Sequence, residues 1–222
     1  MTSDSAVTSA AAHRPRGGPD VAGAGRPRRL RRVGIPVLVV VVLLLAGRLF
    51  VAQPYVIPSD SMEPTLQTGD RILVETVDPS RVQRGDVVVF DGRAFGGDDD
   101  YVKRVIGVGG DEVACCGRDG RLTLDGTPVN EPYVQPGDVP SKLRFDVRVP
   151  PGRLWVMGDH RDDSGDSRAH LGDPGGGMVP VEDVVGRVVW RYWPPADFGS
   201  VPRAAAEPVA AGHADATERA LR

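Results

Sequence analysis

Between Ile57 and Glu75 the chain reads IPSDSMEPTLQTGDRILVE, with Ser59 and Ser61 one residue apart and Pro58 and Pro64 on either side. The prolines fix φ at two places and Asp60 favours a turn, so both hydroxyls sit on stiff, irregular backbone. Standing alone, such a stretch is an ordinary turn whose hydroxyls bond nearby backbone. A serine that attacks a carbonyl needs a base to take its proton. The four histidines, His13, His160, His170 and His213, are poor candidates. His13 precedes an apolar segment, His213 lies in the final segment, and His160 and His170 fall in a Gly/Asp-rich loop expected to face solvent. The other available base is a lysine kept neutral by burial. Of 27 basic residues only Lys103 and Lys142 are lysine, and Lys103 falls inside the apolar run YVKRVIGV. Alternation puts it on one face with Tyr101 and Val105. Desolvation there disfavours the charged form, and a cation such as Arg104 would push the same way. Arginine could not take its place, because a guanidinium stays protonated in proteins. A serine of this turn with Lys103 is thus a candidate nucleophile and base for acyl transfer.

Short strands must position these groups. Arg71–Glu75, Asp86–Phe90, Tyr101–Val108, Arg121–Val129, Lys142–Pro150, Arg153–Asp159 and Val184–Trp193 are rich in Val, Ile and Leu and bounded by turn residues. Asp125-Gly126 is a strong two-residue hairpin signal. The GVGG stretch from Gly107 to Gly110 leads into another strand and not a helix, so it reads as tight turns rather than a phosphate loop. The expected fold is mainly β, an antiparallel domain over residues 53–194. Residues 195–222, Ala- and charge-rich without a strand pattern, read as a flexible tail.

Ahead of this domain, residues 1–32 are Arg-, Ala-, Gly- and Pro-rich and read as disordered. Val33 to Ala52 then runs VGIPVLVVVVLLLAGRLFVA. About 20 residues at ~1.5 Å rise just span a ~30 Å hydrocarbon layer, so this is expected to be a single transmembrane helix. Arg48 near its outer end can snorkel to the headgroups. The arginines before it put the N-terminus in the cytoplasm and the β domain outside the cell membrane. A cleaved secretory signal or a buried core helix are the alternatives. The net charge of −3 is too small to imply a nucleic-acid partner.

With the boxes placed in order, the sequence resembles the type I signal peptidases, the membrane-anchored Ser/Lys endopeptidases of bacteria. PSDSMEPTL matches the nucleophile box of that family, RGDVVVF the next strand, YVKRVIGVGGDEV the general-base box and MGDHRDDSGDSR its last box, with VVGRVVWRYWP following. The resemblance covers roughly Arg48 to Pro194. It implies that Ser61 is the nucleophile and Lys103 the general base. It makes the Ser61 N–H and the Ser59 hydroxyl the oxyanion hole, and gives Ser164 the role of hydrogen-bonding and orienting the lysine. Asp166 and Arg168 become a bracing salt bridge. Tyr55, Ile57 and Val102 line pockets for small residues at −1 and −3 of a signal peptide. The implied partners are signal-peptide-bearing preproteins and the lipid bilayer, with no cofactor. A monomer is the default expectation, and nothing in the sequence fixes the oligomeric state.

His160 and Asp163 stand where that family usually has Asn, which adds charge near the pair. The short segment between the base box and the last box favours the compact form with one anchor. The Asp-rich stretches lack the spacing of a Ca²⁺ loop and the cysteine spacing fits no zinc site, so no metal is expected. Adjacent Cys115 and Cys116 are either a vicinal disulfide or two thiols. A related pilin-maturation peptidase, a self-cleaving repressor-like protein and an inactive membrane-tethered β module that binds precursors are the other readings.

Overall fold

The structure, a computed structural model, describes residues 35–42 and 52–209. Residues 35–42 are helical. Among the described residues no helix is long and apolar enough to cross a membrane. The rest of the expected span up to residue 51, and the Arg-rich segment 1–32, lie outside the described residues.

In the remainder every strand pairing is antiparallel, with short 3-10 turns between strands. The strands are β1 (Ala52–Val56), β2 (Arg71–Glu75), β3 (Val87–Phe90), β4 (Tyr101–Val108), β5 (Glu112–Cys115), β6 (Leu122–Leu124), β7 (Thr127–Asn130), β8 (Phe145–Arg148), β9 (Arg153–Met157), β10 (Val179–Pro180), β11 (Val184–Trp193), β12 (Gly199–Ser200) and β13 (Glu207–Pro208). They form two sheets. The larger, of eight strands, has the order β1-β2-β11-β3-β4-β9-β10, with β12 added beside β11. The smaller has the order β13-β7-β6-β5-β8. The β6–β7 connection is Asp125-Gly126, with φ of 50° and 76°. Two positive φ values in a row match the twist of a two-residue hairpin, which explains that residue pair. Gly110, at φ 104°, turns β4 into β5, so the glycine run makes a strand-to-strand turn.

Three apolar clusters hold the layers. Val88, Phe90, Val105, Leu154, Val156 and Val179 pack under β3, β4 and β9. Trp155 and Met157 join Val113, Leu122, Leu124 and Phe145 between the sheets. Ile57, Met62 and Leu66 bury themselves with Ile72, Val74, Val87, Val89 and Val188. That last cluster ties the loop after β1 to the sheet. The central strand β3 is buried at all four positions, as its continuous Val-Val-Val-Phe run requires.

The segment from residue 195 corrects the expected flexible tail over its first part. β12 pairs with β11 and β13 with β7, so the chain returns across both sheets. Arg203 Nε donates to Asp86 at 2.7 Å. The backbone of Ala204 and Ala205 runs so close over Gly85 that a Cβ there would lie 2.5 Å from the Ala205 nitrogen. Pairing of this kind rests on backbone groups, so composition did not announce it. Residues 210–222 lie outside the described residues. At the other end, strand β1 was not anticipated, because its Gln-Pro-Tyr sequence carries no alternating pattern.

Candidate active site

The loop from Ile57 to Asp70 is closed at its neck by two backbone bonds, Ile57 N–H to Asp70 O and Gly69 N–H to Ile57 O, both 2.9 Å. Ile57, Met62 and Leu66 anchor it from inside, each 2% exposed or less. Burying such side chains stabilises by about 1.5–3 kcal/mol apiece. Ser61 therefore stands on a loop fixed at its neck and by the residue after it. Its own exposure is 7%.

Strand β4 runs between β3 and β9, with Lys103 opposite Val88 and Arg104 opposite Met157. The chain leaving β9 at Met157 enters the 158–168 loop, so the register itself brings that loop beside Lys103. Lys103 Nζ lies 2.8 Å from Ser61 Oγ. Ser59 Oγ donates to Ser61 Oγ at 3.3 Å. The backbone N–H of His160 donates to the Ser61 carbonyl at 3.2 Å, which joins the two loops. The dyad and Ser59 open into a cleft of about 350 Å³ that Ile57, Val102 and Asp163 also line.

Lys103 is 4% exposed. Burial depresses its amine to about 8, against a smaller upward pull from Asp166 and Asp159. Arg104, the neighbouring cation expected to push the same way, is not among the causes. Its guanidinium points to the other side of the strand and is neutralised there by Asp159, with Nε to Oδ1 at 2.8 Å and a second N–H to Oδ2 at 2.6 Å. Both side chains are buried, at 1% and 0% exposure. Thr65 of the nucleophile loop donates to the same carboxylate at 2.5 Å.

Asp166 is also fully buried. Burial works to raise its carboxyl, but the Arg168 guanidinium and the Gly158 N–H outweigh that and hold it below the usual carboxylate range. Arg168 Nε donates to Asp166 Oδ1 at 2.8 Å. Ser164 differs from expectation. Its Oγ is buried and makes no hydrogen bond to Lys103 here; it helps to hold the Asp166 carboxyl low. It packs instead against Gly158, where a Cβ would meet the Ser164 side chain and the Ser61 carbonyl at 2.5 Å. Tyr55, on β1, does not line the cleft. Its hydroxyl donates to Asp100 at the cleft's edge, 3.1 Å away.

The two loop histidines are half-buried and not solvent-facing. His170 stacks on Phe95 at 4.2 Å and bonds Asp173, and the His160 ring nitrogen Nδ1 is buried without a partner. Phe95, distant in sequence, explains the burial of His170, which loop composition hides. Neither ring bonds Ser61. Cys115 and Cys116 are joined at the end of β5, one of the two states the sequence left open. Sequence reasoning missed Asp159 and Thr65 as partners of Arg104. It also missed a second buried pair, Arg161 with Glu131. The available signal was an arginine in the middle of an apolar strand, which must find a carboxylate.

Residues 30–193 match the family described as "Signal peptidase, peptidase S26". The probable signal peptidase I of Mycobacterium leprae is 39% identical over 209 residues, covering 68% of this chain and 72% of that protein. Signal peptidase I of Bacillus caldolyticus is 37% identical over 173 residues, covering 72% and 89%. A crystal structure of a signal peptidase I from Enterococcus faecalis aligns at 28% identity with a TM-score of 0.38, covering 48% of this chain and 96% of that one. With most of its length matched by the family and by such relatives, this chain belongs to the signal peptidase family, peptidase S26.

Proposed function

We propose that this hydrolase is a membrane-anchored serine endopeptidase that removes signal peptides from exported preproteins through a Ser61–Lys103 dyad. The observation that carries the reading is the 2.8 Å contact between a buried lysine and the hydroxyl of a serine on a pinned loop. Burial that brings the amine down to about 8 leaves a useful fraction neutral near physiological pH.

Neutral Lys103 takes the Ser61 proton as Oγ attacks the scissile carbonyl carbon. The resulting oxyanion is received by the Ser61 N–H, which no other backbone group engages among the described residues, and by the Ser59 hydroxyl. Donors so placed typically stabilise such an anion by several kcal/mol. The protonated lysine then gives its proton to the departing amine, leaving an ester on Ser61. Lys103, neutral again, deprotonates the water that hydrolyses it. Ile57 and Val102 give the cleft apolar walls, which suits small side chains at −1 and −3. An N-terminal anchor would hold enzyme and substrate in one bilayer and raise their effective concentration.

A synthetic precursor carrying an Ala-x-Ala site, incubated with the full chain in detergent, tests this. Cleavage after the second alanine, lost in Ser61→Ala and in Lys103→Arg but kept in His160→Ala, is the expected result. An active arginine variant with a dead His160→Ala would require a histidine mechanism instead. A pilin-maturing relative would leave this precursor uncut.

A further inference from the structure

Tyr133 lies in the segment after β7, outside every element that carries the dyad. It is 6% exposed, and its ring faces two buried arginines. The Arg104 guanidinium carbon lies 4.3 Å from the ring centroid and that of Arg161 5.9 Å. Its hydroxyl donates to Glu131 Oε1 at 2.9 Å. Glu131 in turn holds Arg161 through both carboxylate oxygens, at 2.6 and 2.9 Å. Arg161 Nε then donates to the Gly158 carbonyl at 2.9 Å. Gly158 is the residue against which Ser164 and the Ser61 carbonyl pack, and its N–H holds Asp166. One side chain thus touches the cation next to the base and the anion that supports the adjoining loop.

We propose that Tyr133 is a positioning residue for the dyad: its ring seats Arg104 on Asp159, and its hydroxyl, through Glu131 and Arg161, holds Gly158 beside Ser61. The inference rests on the Ser61–Lys103 reading. Its physical content is electrostatic. A guanidinium over an aromatic face is attracted by the ring's negative quadrupole, most strongly where water is excluded. Without the ring, Arg104 is freer to leave Asp159. The uncovered carboxylate would then favour protonated Lys103 and slow the enzyme at neutral pH. Other charges around the amine stay put. Asp166 is locked by Arg168. Asp60, Asp99, Asp100 and Asp163 line the cleft, and Tyr101 on the lysine's own strand stands 5.7 Å from Nζ.

The test measures kcat and KM of the full chain against pH for wild type, Tyr133→Phe and Tyr133→Leu. In Tyr133→Leu the rising limb of kcat should move up by about 0.5–1 pH unit, with about a three- to tenfold loss at neutral pH that closes above the limb. Tyr133→Phe, which keeps the ring, should leave the limb in place and lower kcat alike at every pH through the lost Glu131 bond. A uniform fall in Tyr133→Leu with no shift would make the residue merely structural and overturn the proposal. A wild type with no rising limb would remove the dyad reading, and the proposal with it. Should Tyr133→Leu fail to fold, fluorinated phenylalanines at this position keep the shape while draining the ring's negative face. A limb that climbs with each fluorine supports the proposal, and a fixed limb refutes it.

Discussion

Strands β4 and β5 follow each other through one turn and obey opposite rules. In β5 burial alternates cleanly, with Val113 and Cys115 inside and Glu112 and Ala114 partly exposed. Its neighbours β6 and β8 behave the same way, and Arg148 stays in solvent. In β4, Lys103 and Arg104 are adjacent, point to opposite faces and are both buried. Burying charge costs several kcal/mol per ion unless it is paired or neutralised. The small sheet avoids that cost, and the large sheet concentrates it in one strand. The two charges are handled differently. Arg104, which cannot lose its proton, receives a carboxylate. Lys103, which can, receives a serine hydroxyl and no direct counter-ion. That asymmetry suits one residue to scaffold and the other to the proposed role of base.

The strongest test of the contrast removes the chemistry. Ser61→Ala or Lys103→Met should lower precursor turnover on the order of 10⁴–10⁶-fold, since members of such a unit fail together. The single-turnover cleavage rate measures it, and a milder loss would mean that the buried lysine is not the base.

Next is Arg104→Met, which strands the Asp159 carboxylate in the core. Breaking a buried pair costs about 3–5 kcal/mol, visible in urea unfolding. A near-neutral result would mean that water reaches this pair and that β4 is less dry than its burial implies.

Third is Lys103→Met followed across pH. The folded-state value of about 8 lies below the 10.5 of a free lysine, so the unfolded chain binds the proton more tightly between them. Wild-type stability should therefore rise as pH climbs through that window and be lowest below it. The variant should lack this slope and be more stable at neutral pH by about 3 kcal/mol, taking ~1.4 kcal/mol per unit. Parallel stability curves would show that the lysine is not desolvated.

The smallest effect belongs to the small sheet. Arg148 and Glu112 form an exposed pair at 3.4 Å, with side chains 74% and 42% accessible. Arg148→Ala should shift stability by no more than about 0.5 kcal/mol. A larger change in thermal unfolding would blur the line drawn between the sheets.

Much of the framework was legible because it depends on local pattern. The bounds of β2, β4 and β11 follow their apolar runs, and the Asp125-Gly126 turn follows from what two positive φ values demand. The nucleophile turn stood out through its prolines, and Lys103 through its setting in an apolar strand. What escaped notice was non-local. β12 and β13 depend on which distant edges are open to pairing. Burial of His170 depends on Phe95, far along the chain.

By itself, then, the amino-acid order determined which residues could react and which apolar runs would be strands. Hydroxyl, amine and hydrophobic period are properties of side chains and short windows. Only the tertiary structure decided that Arg104 faces Asp159 and not the lysine, and that Ser164 packs on Gly158 without bonding Nζ. It alone set Tyr133 over Arg104, 29 residues away in the chain. These outcomes turn on which face of a strand a side chain leaves and on what the register of β4 with β9 brings opposite it. A one-residue slip would exchange the faces, so the proposed base stands beside Ser61 only once the sheet is assembled.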